Sequence, residues 1–91
     1  MLQPYGRNIQ FSHLIKTEGR LREFNFRRGG TGSHEYYTID VSDDRGNRIL
    51  FSVTRQEGIW KIKHELQPLP DWILQAEERF NELILENGLV Y

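Results

Sequence analysis

The chain has no cysteine among its 91 residues. This absence excludes disulfide bonds, thiolate metal ligands and cysteine nucleophiles. The sequence also lacks any run close to the ~20 apolar residues that span a membrane, and its first residues lack the apolar segment of a signal peptide. We therefore expect a cytoplasmic protein with no membrane partner. A chain of this length has room for one domain, 1–91.

Close sets of catalytic or metal-binding residues are also missing. The histidines His13, His34 and His64 lie far apart in the sequence, with no HExxH-type spacing. The acidic pair at 43–44 lies in a turn and lacks the carboxylate spacing of a calcium loop. The glycine-rich stretch 29–33 lacks the lysine of a phosphate loop, and no serine lies in a G-x-S-x-G elbow. We expect no enzyme activity, no metal and no cofactor.

No strong net charge is present either, since the formal charge is −1 and the sequence pI is about 6.3. The charges are unevenly distributed, however. Residues 1–64 carry a net charge of +4, and residues 65–91 carry a net charge of −5. The two parts of the chain therefore differ in sign, which bears on the charge of any partner.

Alternating apolar residues dominate the stretch 35–62 and predict strands that each have one buried face. The breaks between them are rich in Asp, Asn and Gly, which favour turns. Weaker alternation over 9–15 and 20–28 predicts two more strands around Gly19. The alternating residues are Tyr37, Ile39, Val41, Ile49, Phe51, Val53, Trp60 and Ile62. We predict an antiparallel meander of four or five strands over 9–65, an irregular lead-in over 1–8, and a mobile glycine-rich hairpin loop over 27–34.

After residue 70, apolar residues no longer recur at every second position but at the spacing of a helix. Pro70 suits the first turn of a helix, Asp71 complements its N-terminal dipole, and Gly88 is a favourable stop. An apolar stripe along one side is formed by Trp72, Ile73, Ala76, Phe80, Leu83 and Ile84. We predict an amphipathic helix over 70–87, a tail over 88–91, and an α+β fold in which this C-terminal helix packs on one face of the sheet.

The other sheet face is predicted to be open and partly basic. Arg27, Arg48, Lys61 and Lys63 would face solvent there with Tyr36. Cations for phosphates and an aromatic ring for a base are the means by which proteins bind single-stranded DNA or RNA. The neighbouring guanidinium of Arg28 would add a contact from the glycine-rich loop.

Two observations favour an ordinary solvated face instead. Glu23 and Asp40 would share the face and repel phosphates. Dedicated nucleic-acid-binding domains also have a pI above about 9, well above that of this chain.

A protein contact is the alternative function. Leu74 and Leu85 lie off the apolar stripe, on a line that passes through residues 78 and 81. Leu89 and Tyr91 extend this apolar surface into the tail. Exposed apolar surface of this kind often marks an interface. The alternative is therefore a homodimerisation or protein-interaction domain that uses the helix and the tail.

Short motifs in the first forty residues resemble the bacterial PUR-repeat family. They are Ile9-Gln10-Phe11-Ser12, Glu18-Gly19-Arg20, Glu23-Phe24-Asn25-Phe26-Arg27 and Tyr36-Tyr37-Thr38-Ile39. The resemblance implies strands followed by one C-terminal helix, a dimer, and binding of single-stranded DNA or RNA, as in the related Whirly fold.

The chain also departs from the pattern of that family. It has an additional predicted hairpin over 48–62, which makes five strands before the helix. Arg27-Arg28 stands where the family has Asp-Val-Lys, and Leu69-Pro70-Asp71-Trp72 replaces the usual entry to the helix. Together, the patterns and the resemblance predict a small non-catalytic binding module, with single-stranded nucleic acid as the ligand to test.

Overall fold

The computed structural model describes residues 9–31, 34–63 and 68–87, without the side chains of 31 and 34. Five strands precede two helical segments. The elements are β1 (Gln10–Thr17), β2 (Arg20–Thr31), β3 (His34–Ser42), β4 (Arg48–Gln56), β5 (Ile59–Ile62), α1 (Asp71–Leu74) and α2 (Glu77–Asn87). The predicted α+β fold is confirmed. The predicted lead-in and tail lie outside the described residues.

The five strands form one antiparallel sheet in the order β1-β2-β3-β4-β5, so each strand pairs with its neighbours in the sequence. Of the connections that the structure describes, two are two-residue turns in which both central residues have positive φ. Glu18 and Gly19 have φ of 51° and 78°, and Glu57 and Gly58 have φ of 54° and 83°. Such turns match the twist of a hairpin and set the register of the strands beside them.

The predicted glycine-rich loop over 27–34 is wrong for most of its length. Strand β2 continues to Thr31 and β3 begins at His34, and Gly29 lies opposite Tyr36 in the register. A Cβ added at Gly29 would lie 2.5 Å from the Tyr36 ring, so the ring occupies the place of a side chain there. An aromatic ring over a strand glycine compensates for the missing side chain. This cover explains why Gly29 lies in a strand. Gly30, next to it, has a φ of 87°, which glycine adopts without strain.

The helical region is divided rather than continuous over 70–87. The Ala76 N–H donates to the Ile73 carbonyl, three residues back, at 3.0 Å, and the Phe80 N–H then donates to the Ala76 carbonyl at 3.1 Å. A turn at Gln75 and Ala76 therefore separates α1 from α2. The predicted apolar stripe is still confirmed, since five of its six residues are buried and Trp72 is partly buried.

One hydrophobic core lies between the sheet and the helical segments. Phe80 of α2 is at its centre, with ring centroids 5.3 Å from Phe24, 6.0 Å from Phe26 and 5.5 Å from Phe51. The buried apolar residues of the sheet are Ile15, Phe24, Phe26, Tyr37, Ile39, Val41, Phe51, Val53, Trp60 and Ile62. They include every alternating residue of the predicted meander except Ile49, which is partly buried.

A buried arginine closes one end of this core. The guanidinium carbon of Arg22 lies 3.9 Å from the centroid of the Trp72 ring. Its Nε donates to Thr17 Oγ1 at 2.9 Å, and its NH1 donates to Asp44 Oδ1 at 2.9 Å. The cation is thus paired and hydrogen-bonded, which buried charges require. Arg22 joins the first hairpin, the β3–β4 turn and α1.

Helix α2 covers the outer edge of β5. The Trp60 N–H donates to Asn81 Oδ1 at 2.8 Å, and the Ile62 N–H donates to Glu77 Oε2 at 2.7 Å. Four helical residues rise about 6.0 Å. Two strand residues rise about 6.6 Å, so successive side chains on one face of α2 can reach successive outward N–H groups of β5. The outward N–H groups of Trp60 and Ile62 are therefore already bonded and cannot donate to a further strand.

Candidate functional site

The sheet face opposite the helical segments is called the open face here. Its side chains alternate with the buried ones, and the register places them in rows across the strands. They are Gln10, Ser12, Leu14, Lys16, Leu21, Glu23, Asn25, Arg27, Tyr36, Thr38, Asp40, Ser42, Arg48, Leu50, Ser52, Thr54, Ile59, Lys61 and Lys63. Five of the six residues predicted to bind nucleic acid lie on this face: Arg27, Tyr36, Arg48, Lys61 and Lys63.

Three of those cations lie at one end of the open face, near the β2–β3 hairpin. We call this region the basic end: Arg27, Tyr36, Thr38, Ser52, Thr54, Lys61 and Lys63. Arg27 is opposite Thr38, which is opposite Ser52, and the Lys63 N–H donates to the Ser52 carbonyl at 2.8 Å. Tyr36 is opposite Thr54, which is opposite Lys61. These adjacent rows combine cations, hydroxyls and one aromatic ring, and no carboxylate.

Tyr36 is held at the centre of the basic end. A Cβ at Gly29 would lie 2.5–2.8 Å from three atoms of the Tyr36 side chain: Cε1, Cζ and the hydroxyl oxygen. The ring therefore lies across the glycine backbone of β2. It is half-buried, so part of its surface remains in contact with solvent. A fixed ring with an accessible surface is suited to stacking on a base.

A chain of hydrogen bonds crosses the middle of the open face. Ser12 Oγ donates to Asn25 Oδ1 at 2.5 Å, and Asn25 Nδ2 donates to Asp40 Oδ1 at 2.9 Å. Arg48 NH1 also donates to Asp40 Oδ1 and forms an ion pair with it. This polar ladder joins four strands. Because Arg48 is paired with Asp40, its charge is not available to a ligand. The same ion pair neutralises the Asp40 carboxylate, which was expected to repel phosphates.

Arg28 does not lie beside Arg27 on the open face. Consecutive strand residues point to opposite faces, and Arg28 lies opposite Tyr37 on the covered face. Its NH2 forms an ion pair with Glu35 Oε2 at 2.9 Å, and Glu35 Oε1 also pairs with Arg55 at 3.3 Å. Burial raises the pKa of Tyr37, and the nearby Arg28 charge partly opposes that rise. The predicted grouping of Arg27 with Arg28 in one loop is wrong.

The described residues contain no group of three or more His, Asp or Glu side chains that could hold a metal ion. His13 is half-buried on the covered side of β1, whereas the His34 side chain and His64 lie outside the described part. In the same part of the chain, no helix is long and apolar enough to cross a membrane. The absence of enzyme activity stays a prediction.

The two leucines of the predicted protein contact are exposed, Leu74 by 41% and Leu85 by 48%. They lie on different helical segments, however, with the turn at 75–76 between them. Asn81, which lay between them on the predicted line, is bonded to the backbone of Trp60. The continuous line is therefore wrong, and Leu89 and Tyr91 lie outside the described residues. A partner contact through these residues stays a prediction.

Sequence reasoning missed the polar ladder and the role of Gly29. The polar ladder could have been predicted from the hairpin turn at Glu18 and Gly19. A two-residue turn places Thr17 opposite Arg20, and counting back along both strands places Ser12 opposite Asn25. The same counting from Thr31 opposite His34 places Gly29 opposite Tyr36. The sequence does not identify that turn unambiguously, because glycines at 29, 30 and 32 offer more than one position for it.

Comparison with known proteins finds no significant similarity: no family model, no curated protein and no solved structure matches the chain. The resemblance to the PUR-repeat family stays a prediction drawn from short motifs. The geometry and charges of the open face are therefore the observations from which a function can be inferred.

Proposed function

We propose that this protein is a cytoplasmic, non-catalytic module that binds single-stranded DNA or RNA through the basic end of its open face. The observation that carries the proposal is a difference in ion pairing. Arg20, Arg22, Arg28, Arg48, Arg55 and Arg79 all form ion pairs with carboxylates. Within the described part of the chain, Arg27, Lys61 and Lys63 form none and lie together at the basic end. Lys16 and Arg45 also form none, but they lie away from that end. Cations without an intramolecular partner can neutralise phosphates.

The placement of Tyr36 favours a single strand over a duplex. It lies on β3, between Arg27 on β2 and Lys61 on β5. These two cations are separated by three strand spacings, about 14 Å, across the sheet and by one row, about 6.6 Å, along the strands. A strand that crosses the sheet would meet a cation on each side of the ring. A base can stack on the ring only when it is not already stacked inside a duplex.

The acidic residues of the chain do not oppose this mode of binding. Six of the thirteen lie in residues 65–91. On the open face, Asp40 is paired with Arg48, and Glu23 lies two rows away from Arg27 along β2. The low overall pI therefore conceals a locally basic surface. With three free cations, we expect modest affinity and a marked dependence on salt.

The test is fluorescence anisotropy of a labelled oligothymidine titrated with the protein across a salt series. Three phosphate contacts predict a slope of about −2 for log affinity against log salt, at about −0.7 per contact. The Lys61→Glu/Lys63→Glu double variant should bind about 10-fold or more weakly, with a slope reduced to about −0.7. An oligouridine run in parallel reports any preference for RNA.

The matched control is the Lys16→Glu/Arg45→Glu double variant. It makes the same change in net charge, and both residues are exposed, lie away from the basic end and form no ion pair with a described residue. It should bind nearly as well as the wild type. Absence of binding in low salt, or an equal loss in both double variants, would overturn the proposal.

A further inference from the structure

The two edge strands of the sheet differ in how their backbone groups are satisfied. At the β5 edge, the outward N–H groups of Trp60 and Ile62 are bonded by α2. At the β1 edge, the Arg28 N–H donates to the Ile9 carbonyl at 2.9 Å. This bond shows that the odd-numbered residues of β1 are the ones whose backbone groups are bonded to β2. Because the bonds alternate along an antiparallel pair, the N–H and C=O groups of Gln10, Ser12, Leu14 and Lys16 point away from the sheet. Among the described residues, none bonds these groups.

We propose that β1 pairs antiparallel with β1 of a second copy of this chain, with Leu14 next to the two-fold axis. A row of outward N–H and C=O groups is a template for an extended polypeptide. The strand from Gln10 to Thr17 has no proline and no bulge, the devices that commonly block such pairing. The proposal does not depend on nucleic-acid binding.

The side chains of β1 complement themselves in this register. Leu14 is 57% exposed, and Leu21, which lies diagonally behind it on β2, is 65% exposed. With Leu14 opposite its own copy, the two Leu14 and two Leu21 side chains form one apolar cluster on the open face. Cross-strand apolar pairs of this kind stabilise a sheet.

The charges of β1 also permit the pairing. Lys16 is the one Lys, Arg, Asp or Glu residue of β1, and the register places it opposite Ser12 of the other copy. No like charges are therefore directly opposed, which would destabilise the pair.

The capped β5 edge explains why a second copy is the expected occupant. If both edges were open, β1 of one molecule could pair with β5 of the next, and the sheet would extend without limit. Because α2 occupies the outward groups of β5, pairing is restricted to β1 with β1, which closes after two copies. The two open faces then lie on the same side of one continuous sheet.

The test is sedimentation equilibrium over a wide range of protein concentration. The wild type should change from the monomer mass of 10.9 kDa to twice that mass as concentration rises. Leu14→Lys should raise the dissociation constant at least about 10-fold, because it places two like charges at the axis. The matched control is Leu50→Lys, which alters a leucine of similar exposure, 61%, on the same face of the interior strand β4. It should leave the dimer intact.

A cross-linking experiment keeps the test independent of any loss of stability in the lysine variants. Because the chain has no cysteine, Leu14→Cys introduces the single thiol. Bonded antiparallel pairs have Cα atoms about 5.5 Å apart, within the range of a disulfide. Oxidation by diamide should convert Leu14→Cys to a covalent dimer far faster than Leu50→Cys.

Three results would overturn the proposal. A wild-type monomer at every concentration would leave the edge free for some other extended segment. An unchanged dimer in Leu14→Lys, with dissociation in Leu74→Glu/Leu85→Glu, would place the contact on the helical segments. Equal dissociation of Leu14→Lys and Leu50→Lys would assign it to the whole open face rather than to the edge.

Discussion

The two faces of the sheet are built from the same strands and carry different properties. On the covered face, alternate residues of every strand are buried against α1 and α2, with Phe80 in contact with three other phenylalanines. On the open face, the alternate residues are polar or exposed, and three of the four cations that form no ion pair with a described residue lie together at one end. The comparison teaches that the residues which stabilise the fold and those proposed to bind a ligand are separated by the two-residue period of a strand. Each set can therefore be changed with little effect on the other.

The largest expected effect comes from the covered face. Phe80→Ala removes the central ring of the core and should lower the free energy of unfolding by about 3–5 kcal/mol. Leu50→Ala on the open face removes a side chain that is 61% exposed. It should change that free energy by less than about 0.5 kcal/mol. Urea unfolding followed by tryptophan fluorescence measures both, and similar losses in the two variants would contradict the assignment of the faces.

The next effect tests the cap on the β5 edge. Glu77→Ala removes the acceptor of the Ile62 N–H. It should cost about 1–2 kcal/mol and speed hydrogen exchange of that amide. Glu78→Ala is the matched control, because both glutamates lie in the first turn of α2 and share its dipole interaction. Equal exchange rates for the Ile62 amide in the two variants would show that Glu77 does not protect the edge.

A smaller effect tests the packing of Tyr36 over Gly29 on the open face. Gly29→Ala would place a methyl group 2.5 Å from the Tyr36 ring, so the ring must move. We expect a loss of about 1 kcal/mol, typical of mild overpacking, together with weaker oligonucleotide binding. Adding Tyr36→Ser should recover the stability but not the binding. If Gly29→Ala cost the same with and without the tyrosine, the contact would have no energetic role.

The smallest effect concerns the β3–β4 turn at low pH. Hydrogen bonds from the backbone N–H groups of Asn47 and Arg45 hold the pKa of Asp43 below its ordinary value of 3.8. A lowered folded-state pKa contributes stability that is present above the ordinary value and is lost as pH falls through the folded value. Asp43→Asn should therefore flatten the acid limb of a plot of urea midpoint against pH. An acid limb equally steep in Asp43→Asn and in the wild type would contradict this role of Asp43.

The sequence was sufficient to predict which residues face the core. The alternation of Tyr37, Ile39 and Val41 identified the covered face correctly, because it reflects burial directly. The break between α1 and α2 was not predictable in the same way, since the apolar stripe continues across Ala76 and the change is confined to backbone hydrogen bonding.

Pairing between strands accounts for the other points at which the structure differs from the predictions made from the sequence. The pairing of 27–31 with β3, in which Tyr36 covers Gly29, depends on the β2–β3 register, whereas glycine composition alone favours a loop. The ion pair between Arg48 and Asp40 likewise depends on the β3–β4 register. A list of cations cannot distinguish those that are paired from Arg27, Lys61 and Lys63.

The most direct test of the account is photochemical cross-linking of the protein to a single-stranded oligonucleotide that carries 4-thiothymidine, followed by digestion and mass spectrometry. The account predicts adducts on the tryptic peptide 29–45, with fragmentation that assigns them to Tyr36 rather than to Tyr37, which is buried on the covered face. Adducts confined to Trp72 or α2, with none on Tyr36, would contradict the claim that the open face binds the ligand.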